Sequence, residues 1–165
     1  MNVAAWTDAR RALATRGAEH ATKLVLIATF LGGVAAFTVV PPLRRTHVRL
    51  GWIDLLMLGL TTYRVGNMVA YERIADPLRE PFAERRPDPE TGEEEIAPRG
   101  RGARRALGEL FTCPTCVGTW AAAGVVYGLH IVPAPTRAFM AIMSATAIAQ
   151  VVRNALEALR SRGGS

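Results

Sequence analysis

Two cysteines, Cys113 and Cys116, are the only thiols of this 165-residue protein, three positions apart around a proline in LFTCPTCVGTW, residues 110–120. A C-x-x-C pair can exchange disulfides, supply half of a tetrahedral zinc site, or mark the start of a helix. Pro114 suits the first turn of a helix, where its missing amide donor is not needed, with Thr112 or Cys113 as the cap. A cysteine at such an end lies among unpaired amide donors that favour its thiolate. Cys113 is therefore expected to be the more reactive thiol, with Cys116 turned toward the other helices beside Gly118 and Trp120. Redox enzymes place this motif after a strand in a βαβ unit, and no such pattern surrounds it. Zinc normally takes four ligands, and His20, His47 and His130 are dispersed in the sequence. Cys113 and Cys116 are thus metal ligands only if a second copy or a partner supplies the rest. A helix entry is the favoured reading, with no catalytic residue, no bound metal and no cofactor expected. No phosphate loop, nucleophile elbow or HExxH motif is present.

Charges within apolar stretches form the second candidate. Asp54 and Arg64 lie in LGWIDLLMLGLTTYRVGNMVAY, residues 50–71, and Gln150 lies in a fourth apolar stretch. A charge inside a bilayer is costly and rarely kept without a partner or a role. Arg64 either snorkels to the surface, pairs with Asp54 on a neighbouring helix, or serves a pathway of a small transporter or pore subunit. The last reading is weakened by the absence of an inverted repeat. At helical spacing, Asp54, Thr61, Arg64, Asn67 and Tyr71 gather on one side and Leu55, Leu58, Val65 and Val69 on the other, so the polar stripe is expected to face protein.

These residues need apolar elements to position them. Residues 24–43 carry no charge, whereas residues 72–109 carry eighteen. The net charge of +6 falls at the ends of apolar segments, a pattern of membrane orientation and not of a nucleic-acid-binding face. Crossing a bilayer takes roughly 20 mostly apolar residues as a helix. Four segments approach this: 24–43, 50–71, 117–133 and 137–157. The protein is therefore expected to be an all-α polytopic membrane protein without β-sheet. A basic tail, 1–23, precedes the first membrane helix, read as an anchor and not a cleaved signal; residues 50–157 form the membrane module and 158–165 a C-terminal tail. With four spans, fifteen Lys or Arg fall on the side of both termini and the long loop and four on the other, which makes the former side cytoplasmic. Small residues at Gly32 and Ala36, Gly59 and Gly66, Gly124 and Gly128, and Ala141, Ala145 and Ala149 are candidates for close helix contacts, within the bundle or between copies.

Residues 84–106, ERRPDPETGEEEIAPRGRGARRA, are nearly devoid of apolar side chains and are expected to be a flexible linker or docking segment. Arg99, Arg101, Arg104 and Arg105 at its end form a basic flank for the third segment.

LGLTTYRVGNMVAYERIADPLREPF, then the charged run, then LGELFTCPTCVGTWAA together resemble domain-of-unknown-function family 1360, small bacterial and phage membrane proteins. The resemblance covers about residues 52–157. Its most specific parts are Tyr63-Arg64, Pro77-Leu78-Arg79, and the run Cys113, Pro114, Cys116, Gly118 and Trp120. It implies a membrane module without an assigned reaction. The expectation is a non-enzymatic inner-membrane anchor or assembly factor that recruits a protein partner through its cytoplasmic loop or forms homo-oligomers. The alternative is a thiol or metal membrane protein using Cys113 and Cys116.

Overall fold

A computed structural model describes residues 3–39, 50–87 and 94–163. The end of the first apolar segment, with Pro41 and Pro42, and His47, Arg44, Arg45 and Arg49 lie outside the described residues, as do residues 88–93 of the charged run.

Helix α1 spans Val3–Val39 and α2 spans Trp52–Tyr71, followed by a 3-10 turn, Arg73–Ala75, and the single turn α3, Asp76–Arg79. Strands β1, Ala83–Pro87, and β2, Glu94–Pro98, precede α4, Ala103–Thr112, α5, Pro114–Ile131, and α6, Pro133–Gly163. The basic N-terminal stretch continues the first apolar segment as one helix, since its Ala, Leu and Arg are good helix formers and no proline interrupts them. Pro133 and Pro135 open α6 and do not break a helix, because the first turn has no partner for a proline amide anyway. The fourth helix thus begins some residues ahead of Arg137.

The core is small: Val125, Leu129 and Met140, with Met57 and Leu58 against them. Helix α2 crosses α5 in the opposite sense, Gly66 lying against Pro114 and Thr62 against Gly118. A Cβ on Gly66 would meet the Pro114 carbonyl oxygen well inside 3.0 Å and its carbonyl carbon at 3.2 Å; one on Gly118 would meet Thr62 Cγ2 at 3.1 Å. Only glycine permits backbones this close. By contrast, Gly32, Gly59 and Gly124 have nothing within 4 Å of such a Cβ, so among the paired glycines expected to pack, Gly66 and Gly128 do so within one copy of the protein. Helix α6 joins through Ser144, whose hydroxyl donates to the Met57 carbonyl at 2.9 Å and lies 3.3 Å from the buried Thr61 hydroxyl. Helix α1 runs alongside α5 in the same direction: Phe30 meets Trp120 edge-on at 5.2 Å, and Phe37 meets Tyr127 at 4.4 Å.

The buried stripe of α2 is Thr61, Gly66 and Ala70. Of the expected polar stripe Thr61 faces protein, buried against α6, whereas Tyr71 is exposed and Asn67 turns back on the Tyr63 carbonyl of its own helix.

The expectation of no β-sheet is also corrected. Within the charged run, β1 and β2 pair antiparallel from Ala83 with Pro98 to Pro87 with Glu94. The hairpin has little apolar content of its own, Ala83, Ile96 and Ala97, and it is fastened from outside. Phe82 stacks on Phe111 of α4 at 5.5 Å, the Phe82 carbonyl accepts the Arg99 amide at 2.7 Å, and Gly108 lets Phe82 and Pro98 approach the α4 backbone. The last four residues of the expected linker, 103–106, are likewise ordered as the start of α4, Ala103–Thr112, with Ala106 and Gly108 buried.

Candidate functional site at the polar end of the bundle

Two clusters meet where α2 ends and α5 begins. The first is the C-x-x-C turn. The backbone turns by 82° between α4 and α5, at Cys113, whose conformation is extended. Cys113 is the N-cap of α5, and its Sγ accepts the Cys116 amide at 3.3 Å. Pro114 fills the first turn, and both thiols are free. Cys116 turns away from α2 and stays exposed, at the edge of a groove beside α1, while Cys113 is half-buried. The reason is angular. Gly118 faces α2, and a residue two positions earlier points roughly 200° away around the helix. Cys116 therefore shares a face with Trp120, on the side of Phe30 in α1.

The second cluster closes the end of α2. Arg79, from the Pro77-Leu78-Arg79 run, is 2% exposed. Its guanidinium donates to the carbonyls of Val69 at 3.0 Å and Glu72 at 2.8 Å, and it pairs with Asp76. Carbonyls at a helix end have no partner within the helix, so the Arg79 guanidinium caps the carboxyl end of α2. Pro77 lies at the start of α3 and turns the backbone so that Arg79 reaches back. Arg85 of β1 donates to Asp76 at 3.1 Å and to the Tyr71 carbonyl at 3.3 Å, tying the hairpin to the same helix end. The hydrogen bond from Arg79, with help from Arg85, holds the Asp76 carboxyl below the ordinary aspartate range. A cleft of about 520 Å³ lies between these residues and Ile96 and Arg99 of the hairpin side.

Arg64 pairs with Glu72, one of its bonds being 3.2 Å from Nη2 to Oε2. The guanidinium thus reaches along its own helix toward the polar end instead of across to Asp54. Asp54 is at the other end of α2, where its carboxylate accepts the Gly51 amide at 3.0 Å. Gln150 Oε1 is buried without a hydrogen-bond partner. His20 lies on α1, and His130 lies at the far end of α5 against Phe37, so neither joins the cysteines. Among the described residues no group of three or more His, Cys, Asp or Glu could hold a metal ion. Sequence reasoning missed Glu72, Asp76, Arg85 and Gly108; the spacing Asp76-Pro77-x-Arg79 was the one local signal for a capping turn.

The arrangement defines a mostly helical protein in which α1 and α6 are long and apolar enough to cross a membrane, or three spans if the bent pair α4 and α5 is counted as one. A folded, charged segment closes one end of it. The protein belongs to the family described as "Protein of unknown function (DUF1360)", which matches residues 57–156 and so includes both clusters. It is also similar to "Sporulation protein YjcA" of Bacillus subtilis (strain 168), 23% identical over 103 residues, which are 61% of the sequence and 87% of that protein. No solved structure matches.

Proposed function

We propose that this protein is a non-enzymatic, four-span inner-membrane scaffold whose charged end, residues 72–112, docks a protein partner on the cytoplasmic side. The observation that carries the reading is the construction of that end: Arg79 caps α2, Arg85 ties the hairpin to it, and the stacking of Phe82 on Phe111 holds α4 against the hairpin, so the charged run presents a shaped surface.

Four spans are supported by alternation of direction. Helix α1 runs with α5, α2 runs against it, and α6 returns from it after one intervening residue. Helix α2 is 20 residues, about 30 Å at 1.5 Å per residue, the thickness of the hydrocarbon. Its polar groups are satisfied within the protein: Thr61 by Ser144 and Met140, Arg64 by Glu72. The cytoplasmic placement rests on the excess of Lys and Arg at the termini and the charged run. The bilayer and a protein partner are the proposed associates; nucleic acid is not.

Affinity capture from native membranes in mild detergent tests this. A partner recovered with the natural protein should be lost when residues 84–98 are replaced by a Gly-Ser linker. Equal recovery refutes docking through this end. A membrane-impermeant maleimide tests the topology: Cys113 should react in opened membranes only, and labelling in intact cells would invert the orientation.

A further inference from the structure

A groove of about 430 Å³ runs between α1 and the α4–α5 elbow. Its walls are apolar: Leu26 and Phe30 of α1, Ala106 and Leu110 of α4, and Trp120 of α5. The Phe30–Trp120 contact closes one end, and the Lys23–Glu109 ion pair, at 2.6 Å, closes the other. Ile27 and Leu31 of its α1 wall remain 56% and 60% exposed, and Leu24 beside them 66%, so the groove opens onto a surface suited to lipid.

Charge at the mouth selects the occupant. Glu109 is shared by two cations, Lys23 and Arg105, the latter at 3.3 Å, both about half exposed. Glu19, one turn before Lys23 on α1, accepts the Gly102 amide at 3.2 Å, so two carboxylates stand against Lys23, Arg105 and the exposed Arg101, which leaves one positive charge uncompensated. Arg104 lies on the other side of α4, where it donates to the Pro81 carbonyl at 2.6 Å. Lys23 further marks the point where the uncharged stretch of α1 begins, the level at which phospholipid phosphates lie. We infer that this groove binds one anionic phospholipid, its phosphate between Lys23 and Arg105 and an acyl tail along Leu26, Phe30 and Trp120. Basic pockets between membrane helices on the cytoplasmic side suit such head groups. The inference rests on reading α1 and α5 as membrane-spanning.

The experiment uses the full-length protein with Trp6→Phe and Trp52→Phe, leaving Trp120 as the only tryptophan, in vesicles of phosphatidylcholine. A trace of phosphatidylglycerol or of phosphatidylcholine with a brominated acyl tail is added, and quenching of Trp120 is compared. Brominated phosphatidylglycerol should quench at lower mole fraction. Lys23→Gln and Arg105→Gln should each reduce that preference roughly fivefold. Glu109→Gln removes the competing carboxylate and should increase it, the opposite of what a variant that merely loosened the α1–α4 contact would do. Equal quenching by both lipids, or a Glu109→Gln variant that loses the preference, overturns the inference while leaving membrane insertion intact. Trp120 shielded from both lipids, and increasingly so at high protein density, would overturn it in favour of a second copy filling the groove. Absence of quenching by either lipid at any density would overturn this inference together with the spanning of α5.

Discussion

Replacing Gly66 by alanine isolates the crossing of α2 and α5. Two opposed terms decide the sign. Alanine is better than glycine in a helix interior by up to about 1 kcal/mol. Against this, the new methyl would stand well inside 3.0 Å of the Pro114 carbonyl oxygen, a backbone atom that no side-chain rotation can move. The two helices must part by about half an ångström or α5 must unwind at its entry, and overpacking of this kind costs about 1–3 kcal/mol. Parting also loosens Met57 and Leu58 from Val125 and Leu129, which places the cost toward the upper end. The net expectation is a loss of about 1–2 kcal/mol, or roughly 2–8 °C in Tm for a protein of this size. Gly59→Ala, on the same helix with nothing within 4 Å of its Cβ, feels only the first term and should be neutral or slightly stabilising. The assay is the loss of the monodisperse peak on size exclusion after heating detergent-purified variants. If Gly66→Ala and Gly59→Ala melt together, the close crossing of α2 over Pro114 and Gly118 is refuted.

Arg79→Met should be the most destabilising change in the charged end, about 3–5 kcal/mol, because it strands the Val69 and Glu72 carbonyls and removes a partner of Asp76; hydrogen exchange across residues 69–87 should accelerate. Arg79→Lys keeps the charge but not the planar fork and should recover less than half of that loss in the same measurement. Stability should fall at low pH through Asp76. Its carboxyl titrates lower when folded than the ordinary value of about 3.9, so its contribution is complete above that value and is lost as pH drops toward the folded value; a Tm series from pH 6 to pH 3 should be flatter in Asp76→Asn. Ser144→Ala removes the bond from α6 to the Met57 carbonyl and should lower stability by about 0.6–1.7 kcal/mol, and by little more when combined with Thr61→Val, since the two hydroxyls act as a unit.

Segregation of charge from apolar runs determined the class of this protein before any tertiary contact. An uncharged stretch of helical length has few stable states other than a helix in lipid or a buried one, and Pro114 after Cys113 fixed where α5 begins, since both constraints act over a few neighbouring residues. The residue run from Tyr63-Arg64 through Pro77-Leu78-Arg79 to Trp120 also sufficed for the family. What each motif does was decided elsewhere. Residues 83–87 and 94–98 have no apolar face that would announce a hairpin; Phe111, Gly108 and the end of α2 supply its support, and all are distant in sequence. Gly59 and Gly66 look alike as small residues, yet only Gly66 lies at the crossing. Arg64 had Asp54 as the nearest carboxylate in its own apolar stretch, but Asp54 lies in the first turn of α2, about half the helix away, and Glu72 stands at the end Arg64 can reach. Periodicity states which side chains share a face of a helix. Which face meets a neighbour depends on how the helices cross, and with Gly118 against α2, Cys116 was turned to the α1 side, where it stays exposed.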